Sequence, residues 1–158
     1  WRKRDINHTS TLYSMSSKTS AELLIFPFSD VLGNKIPLID VFIECPSINS
    51  MVKVKGLLDT GSRYTLLERN KALYCLNDLE SRYYDLVFIN GALNKRYIIL
   101  VRIGNLEFKV PVALMDFQSV NLPVVPEVIL GREELLEKFI ITFYKNNFTT
   151  LYAEKGLK

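Results

Sequence analysis

The sequence predicts a mainly β fold, a closed barrel or sandwich with one short helix near its C-terminal end. Three observations predict it. Short apolar, β-type runs recur roughly every 8–12 residues between turn signals, the pattern of an all-β domain. Asn90-Gly91 stands between two such runs and is a strong short-range hairpin signal. Only Arg132 to Phe139 carries convincing helical spacing, with Leu135, Leu136 and Phe139 on one side.

The elements follow in order. Residues 1–20 are polar and Ser/Thr-rich, without a helical or strand period, and read as a flexible leader, linker or precursor segment. Ala21 to Phe26 is the first β run, followed by a turn around Gly33. Lys35 to Cys45 is the second, and Pro46 to Ser50 turns the chain again. Val52, Val54 and Leu57 alternate with Lys53, Lys55 and Gly56, as in a half-buried strand leading into Asp59. Tyr64 to Leu67 is apolar, and residues 68–80 read as short helical or irregular chain. Tyr83 to Ile89 meets the Asn90-Gly91 turn. Tyr97 to Ile103 and Leu106 to Met115 form a second hairpin over Gly104-Asn105. Residues 117–126 are a Pro-containing loop, and Val128-Ile129-Leu130 is a short apolar run ended by Gly131. Ile140 to Tyr144 and Phe148 to Tyr152 close the chain as a last hairpin.

Composition narrows the chemistry. The chain has 158 residues, is 48% hydrophobic and 23% charged, and suits one globular domain over residues 21–158. Its net charge of +3 is spread along the chain apart from Trp1-Arg2-Lys3-Arg4, so a nucleic-acid-binding face is not expected. No apolar run approaches the ~18 residues of a membrane helix, so no membrane partner is expected. The chain opens on Trp and reads as a piece of a longer protein. With one His (His8) and two Cys (Cys45, Cys75), a Ser-His-Asp or Cys-His enzyme would have to use His8 in the polar leader, and a structural zinc site lacks ligands. Two Cys 30 positions apart make no disulfide framework, and a reduced, cytoplasmic compartment fits best. Catalysis, if present, comes mostly from carboxylates, hydroxyls or amines, and no metal or cofactor is expected.

Asp59 is the first candidate. It ends an apolar strand and is followed by Thr60-Gly61-Ser62, where Gly allows a sharp turn and the hydroxyls can donate within it. The plain alternative is an Asp capping its own backbone. Two such carboxylates brought together would share a proton, one acting as acid and the other as base on a water between them.

Leu57-Leu58-Asp59-Thr60-Gly61-Ser62, with Val128-Ile129-Leu130-Gly131-Arg132 further on, resembles the retropepsin family of aspartic proteases of retroviruses, retrotransposons and their cellular relatives. The resemblance covers about Lys35 to Tyr152. It implies Asp59 as the catalytic aspartate, Thr60 locking two active-site loops together, Gly61 meeting the substrate backbone and Ser62 beside the aspartate. It implies a flap over Phe88, Ile89, Asn90, Gly91, Ala92 and Leu93. Tyr64, Leu66, Pro126, Glu127 and Ile129 fall where the family lines its substrate pockets, with Glu127 suited to a polar or basic side chain. Leu130, Gly131 and Arg132 take the structural role at the helix start. Arg63 stands where viral enzymes often carry an Asp paired with the Arg at the position of Arg132, which leaves Arg132 to meet Glu133, Glu134 or a carboxylate of a second subunit. Residues 68–82 lengthen the segment between Asp59 and the flap.

Only one Asp-Thr-Gly is present, and the other Asp residues lack a following hydroxyl-Gly pair. A dyad therefore requires a homodimer. Ala21–Phe26 and Phe148–Tyr152 are either interface strands or the monomer's own sheet. The expectation is an aspartic endopeptidase acting on polypeptide, its own precursor or a retroelement polyprotein included, in the cytoplasm or in retroelement-derived particles. The alternatives are a non-catalytic dimerisation or binding module of the same fold, and a cellular retropepsin-like domain of a protein-degradation adaptor.

Overall fold

A computed structural model describes residues 21–117, 125–145 and 147–154. The expected leader, residues 1–20, and most of the 117–126 loop lie outside them. The strands are β1 (Ala21–Pro27), β2 (Ser29–Val31), β3 (Asn34–Ile36), β4 (Leu38–Cys45), β5 (Ser50–Leu58), β6 (Thr65–Glu68), β7 (Tyr83–Ile89), β8 (Ala92–Ile103), β9 (Leu106–Met115), β10 (Val128–Leu130), β11 (Ile140–Tyr144) and β12 (Phe148–Glu154). The α-helix is α1 (Arg69–Cys75).

Seven strands form one sheet in the order β4-β5-β10-β6-β9-β8-β7, and a further β4–β8 pairing closes six of them into a barrel. Period-two alternation explains its interior. Ile39, Val41 and Ile43 of β4, Ile99, Val101 and Ile103 of β8, and Val110 and Val112 of β9 all point inward and are buried. Most neighbours are antiparallel, but β10 runs parallel to β5 and β6 parallel to β9. These parallel joins bring the chain after Leu58 and the chain after Leu130 out on the same end of the barrel. Open sheets place sites at such strand ends, which makes this end of the barrel the place to look for one.

β7 projects from the barrel wall as a hairpin with β8, the register running from Tyr83↔Tyr97 to Ile89↔Ala92. Asn90 and Gly91 both take positive φ (51° and 78°), the two-residue turn that suits twisted strands. Its root is pinned by Arg82, which donates to the Glu44 carboxylate at 2.6 Å and to the Ile98 carbonyl.

β1, β12 and β11 form a second sheet. β1 pairs with β12 along its length, Ala21↔Glu154 to Pro27↔Phe148, so the two terminal runs complete this chain's own sheet. Leu24, Phe26, Leu151 and Ala153 press its inner face onto the barrel, with Phe139 edge-on to Phe108 at 5.3 Å.

Two expectations are corrected. Residues 132–139 are not a regular helix: they are turns ending in a 3₁₀ turn at Leu136–Lys138. Glu134 lies in the left-handed region (φ 65°) and Leu135 at φ −126°, which breaks α-helical hydrogen bonding there. The α-helix is α1, within the stretch expected to be helical or irregular. Its N-terminus is capped by Glu68, which accepts from the Lys71 amide at 2.8 Å. Cys45 and Cys75 are joined in a disulfide, because α1 ends against the end of β4; both residues are fully buried. No helix among the described residues is long and apolar enough to cross a membrane.

Candidate active site

Asp59 leaves β5 at the barrel end. Its amide donates to the Leu130 carbonyl at 3.2 Å, extending the parallel β5–β10 ladder by one bond. Its Oδ1 accepts from the Gly61 amide at 2.9 Å, and its carbonyl from the Ser62 amide at 3.1 Å. The turn therefore fixes the carboxylate through its own backbone. Asp59 is half-buried and Thr60 is exposed at the turn. Ser62 Oγ donates to the Tyr64 carbonyl at 2.8 Å, so it braces the loop instead of the aspartate.

The 131–133 segment is laced to this loop. The Gly131 amide donates to buried Thr65 Oγ1 at 3.1 Å, the Arg132 amide to the Ser62 carbonyl at 3.0 Å, and the Glu133 amide to the Arg63 carbonyl at 2.9 Å. Gly131 has to be Gly. A Cβ there would fall on the carbonyl group of Tyr64 and 2.7 Å from the Thr65 nitrogen, and both are backbone.

A cleft of about 410 Å³ opens over Asp59. Its floor is Asp59, Gly61, Ser62 and Arg63, its walls are Tyr64, Leu66 and Ile129, and its cover is Phe88, Ile89 and Asn90 of the hairpin tip. Gly91, Ala92 and Leu93, on the far side of the tip, do not line it, and neither do Pro126 and Glu127. Pro126 is buried. Glu127 is held away by the Lys55 amide (3.0 Å) and the Lys71 ammonium (2.7 Å), so it offers no free charge to a substrate.

Arg132 meets neither Glu133 nor Glu134, because both pair elsewhere. Glu133 pairs with Arg63, which holds the Arg63 guanidinium above its ordinary pKa. Glu134 pairs with Arg96 at 2.7 Å. Arg132 is exposed and forms no ion pair among the described residues. Arg96 was not among the expected site residues. It lies on β8, is 3% exposed, and makes a bidentate pair with Asp85 of β7 at 2.7 and 2.6 Å. Asp85 is its main partner and raises the Arg96 pKa, while Arg96 holds the Asp85 carboxyl below the usual carboxylate range. Among the described residues no three His, Cys, Asp or Glu side chains gather to hold a metal.

No family model and no curated protein matches the sequence. Among solved structures, a retropepsin-like aspartic protease from Rickettsia conorii superposes with a TM-score of 0.59 at 23% identity, covering 87% of this chain and 95% of that one. This chain has a retropepsin-like fold. The retroviral protease-like domain of Ddi1 from Leishmania major is more distant, with a TM-score of 0.45 and 14% identity over 77% of this chain and 98% of that one.

Proposed function

We propose that the chain is an aspartic endopeptidase that works as a homodimer. The observation that carries this reading is the Asp59 carboxylate, fixed by its own turn at the open end of the barrel, beneath a hairpin tip that shares its cleft. One carboxylate cannot supply both the base and the acid that peptide hydrolysis needs. Two copies related by a two-fold axis would bring Asp59 and its symmetry mate together, and such a pair shares one proton.

An extended peptide lies between the hairpin tip and the floor. The ionised Asp59 takes a proton from water as the water oxygen attacks the scissile carbonyl carbon. The protonated partner carboxyl gives its proton to the carbonyl oxygen, and a neutral tetrahedral diol forms. Collapse returns a proton to the carboxylates, protonates the amide nitrogen and breaks the C–N bond. Leu66, Phe88 and Ile129 favour apolar side chains on the substrate. The substrate class is polypeptide, with the chain's own precursor or a retroelement polyprotein as the first candidate. The cytoplasm expected from cysteine usage is a reducing setting in which disulfides are rare; the buried Cys45–Cys75 bridge points instead to oxidising surroundings.

The test is cleavage of a mixed peptide library and of the unprocessed precursor by the wild-type protein beside Asp59→Asn, from acidic to neutral pH. Cleavage by the first alone supports the reading. Equal cleavage, or none at concentrations where a dimer forms, overturns it and leaves the binding-module alternative.

A further inference from the structure

Arg96 is a buried cation that joins three separate segments. Its Nε and Nη2 donate to Asp85 across the β7–β8 hairpin. Its Nη1 donates to Glu134 Oε2 at 2.7 Å, on the segment laced to the Asp59 loop. Its guanidinium lies 4.7 Å from the Tyr64 ring centroid and 5.3 Å from that of Tyr84. Tyr64 in turn forms part of the cleft wall. Burying a guanidinium is expensive unless its donors are satisfied. Asp85 alone would satisfy two of them within the hairpin. The other contacts reach outside it, and Glu134 makes its contact from a left-handed backbone that non-glycine residues rarely adopt.

We propose that Arg96 is a positioning residue that sets the height of the hairpin tip over Asp59 and holds the Tyr64 ring in the cleft wall. The link is direct. Arg96 is opposite Asp85 in the same hairpin whose tip supplies Phe88, Ile89 and Asn90 to the cleft. The ring face of Tyr64 attracts the cation, so removing the guanidinium frees both the wall and the cover. Lys cannot replace it, because a point charge cannot span Asp85, Glu134 and a ring face together. This inference rests on the endopeptidase reading for its kinetic consequence, but its structural consequence stands without it.

The experiment uses the full chain with Arg96→Lys, Glu134→Gln, Tyr64→Leu and the Arg96→Lys/Tyr64→Leu pair. Hydrogen exchange is read at residues 86–93 against β4 and β9. In Arg96→Lys and in Glu134→Gln the tip amides exchange several-fold faster while the barrel amides keep their protection. On cleaved peptides, Arg96→Lys lowers kcat/KM about tenfold or more, chiefly through KM, a loss typical of misplaced positioning groups. Adding Tyr64→Leu lowers it little further, because the two act as one unit. Unchanged tip exchange in both single variants, or losses that simply multiply in the pair, overturns the proposal. Should Arg96→Lys fail to fold, Glu134→Gln, which leaves the Asp85 pair intact, decides by the same exchange readout. A wild-type protein that cleaves nothing defeats the endopeptidase reading alone, since the exchange comparison still tests Arg96.

Discussion

Reducing the Cys45–Cys75 bond tests how the segment between Asp59 and the hairpin is held. The bond staples the end of α1 to the end of β4, across a sequence separation of 30. Closing a loop of that length removes about 12 cal/mol/K of entropy from the unfolded chain, or about 3.6 kcal/mol at 25 °C. For a domain of this size roughly 4 °C of midpoint accompanies each kcal/mol, so the reduced protein should melt about 14 °C lower. Thermal unfolding followed by circular dichroism, with and without a phosphine reductant, measures this. Cys45→Ala/Cys75→Ala provides a second route, and it should fall at least as far because both side chains are fully buried. The partly exposed Asp59 turn precedes β6 and α1 follows it, at opposite ends of that strand, so the reduced protein kept well below its midpoint should retain its cleft. Identical midpoints with and without reductant, or two titratable thiols in the untreated protein, would refute the reasoning.

Further outcomes follow from the same contacts. Gly131→Ala should cost about 3 kcal/mol or more, or prevent folding, because the new methyl meets the Tyr64 backbone on a side that cannot move; urea unfolding measures it. Asp85 has its pKa lowered by Arg96, so the stability it contributes is complete above about pH 4 and is lost as pH falls through the lower folded value. Asp85→Asn should therefore be less stable than wild type at neutral pH, and the gap should close in acid. Gly91→Val places a β-branched residue at φ 78°, which should cost about 1–2 kcal/mol and loosen the hairpin tip in hydrogen exchange.

Much of this was legible in the chain because its signals are local. Alternation in β4, β8 and β9 marks the inward residues, and Asn90-Gly91 marks the hairpin through the positive φ its turn type needs. The turn at Asp59 could be read from the glycine and hydroxyls beside it. What was missed is long-range. The disulfide depends on α1 folding back onto β4, which no spacing reveals. The helix over 132–139 fails because Glu134 turns left-handed as its carboxylate meets Arg96 on another strand. Glu127 is claimed by Lys55 and Lys71 from strand and helix neighbours, and so drops out of the cleft. Arg96 did leave one signal: counting outward from the Asn90-Gly91 turn places it opposite Asp85. An opposite-charge pair in register across a hairpin is a recognisable stabilising contact. Its contacts to Tyr64 and Glu134 were beyond any such count.

The most direct test of a shared Asp59 dyad is subunit mixing. Wild-type protein is equilibrated with increasing amounts of Asp59→Asn at constant total concentration, and peptide cleavage is followed. If both carboxylates are needed, each mixed dimer is inactive, and activity falls as the square of the wild-type fraction. Activity that falls in proportion to that fraction, or more slowly, would mean one Asp59 suffices, and would contradict the account.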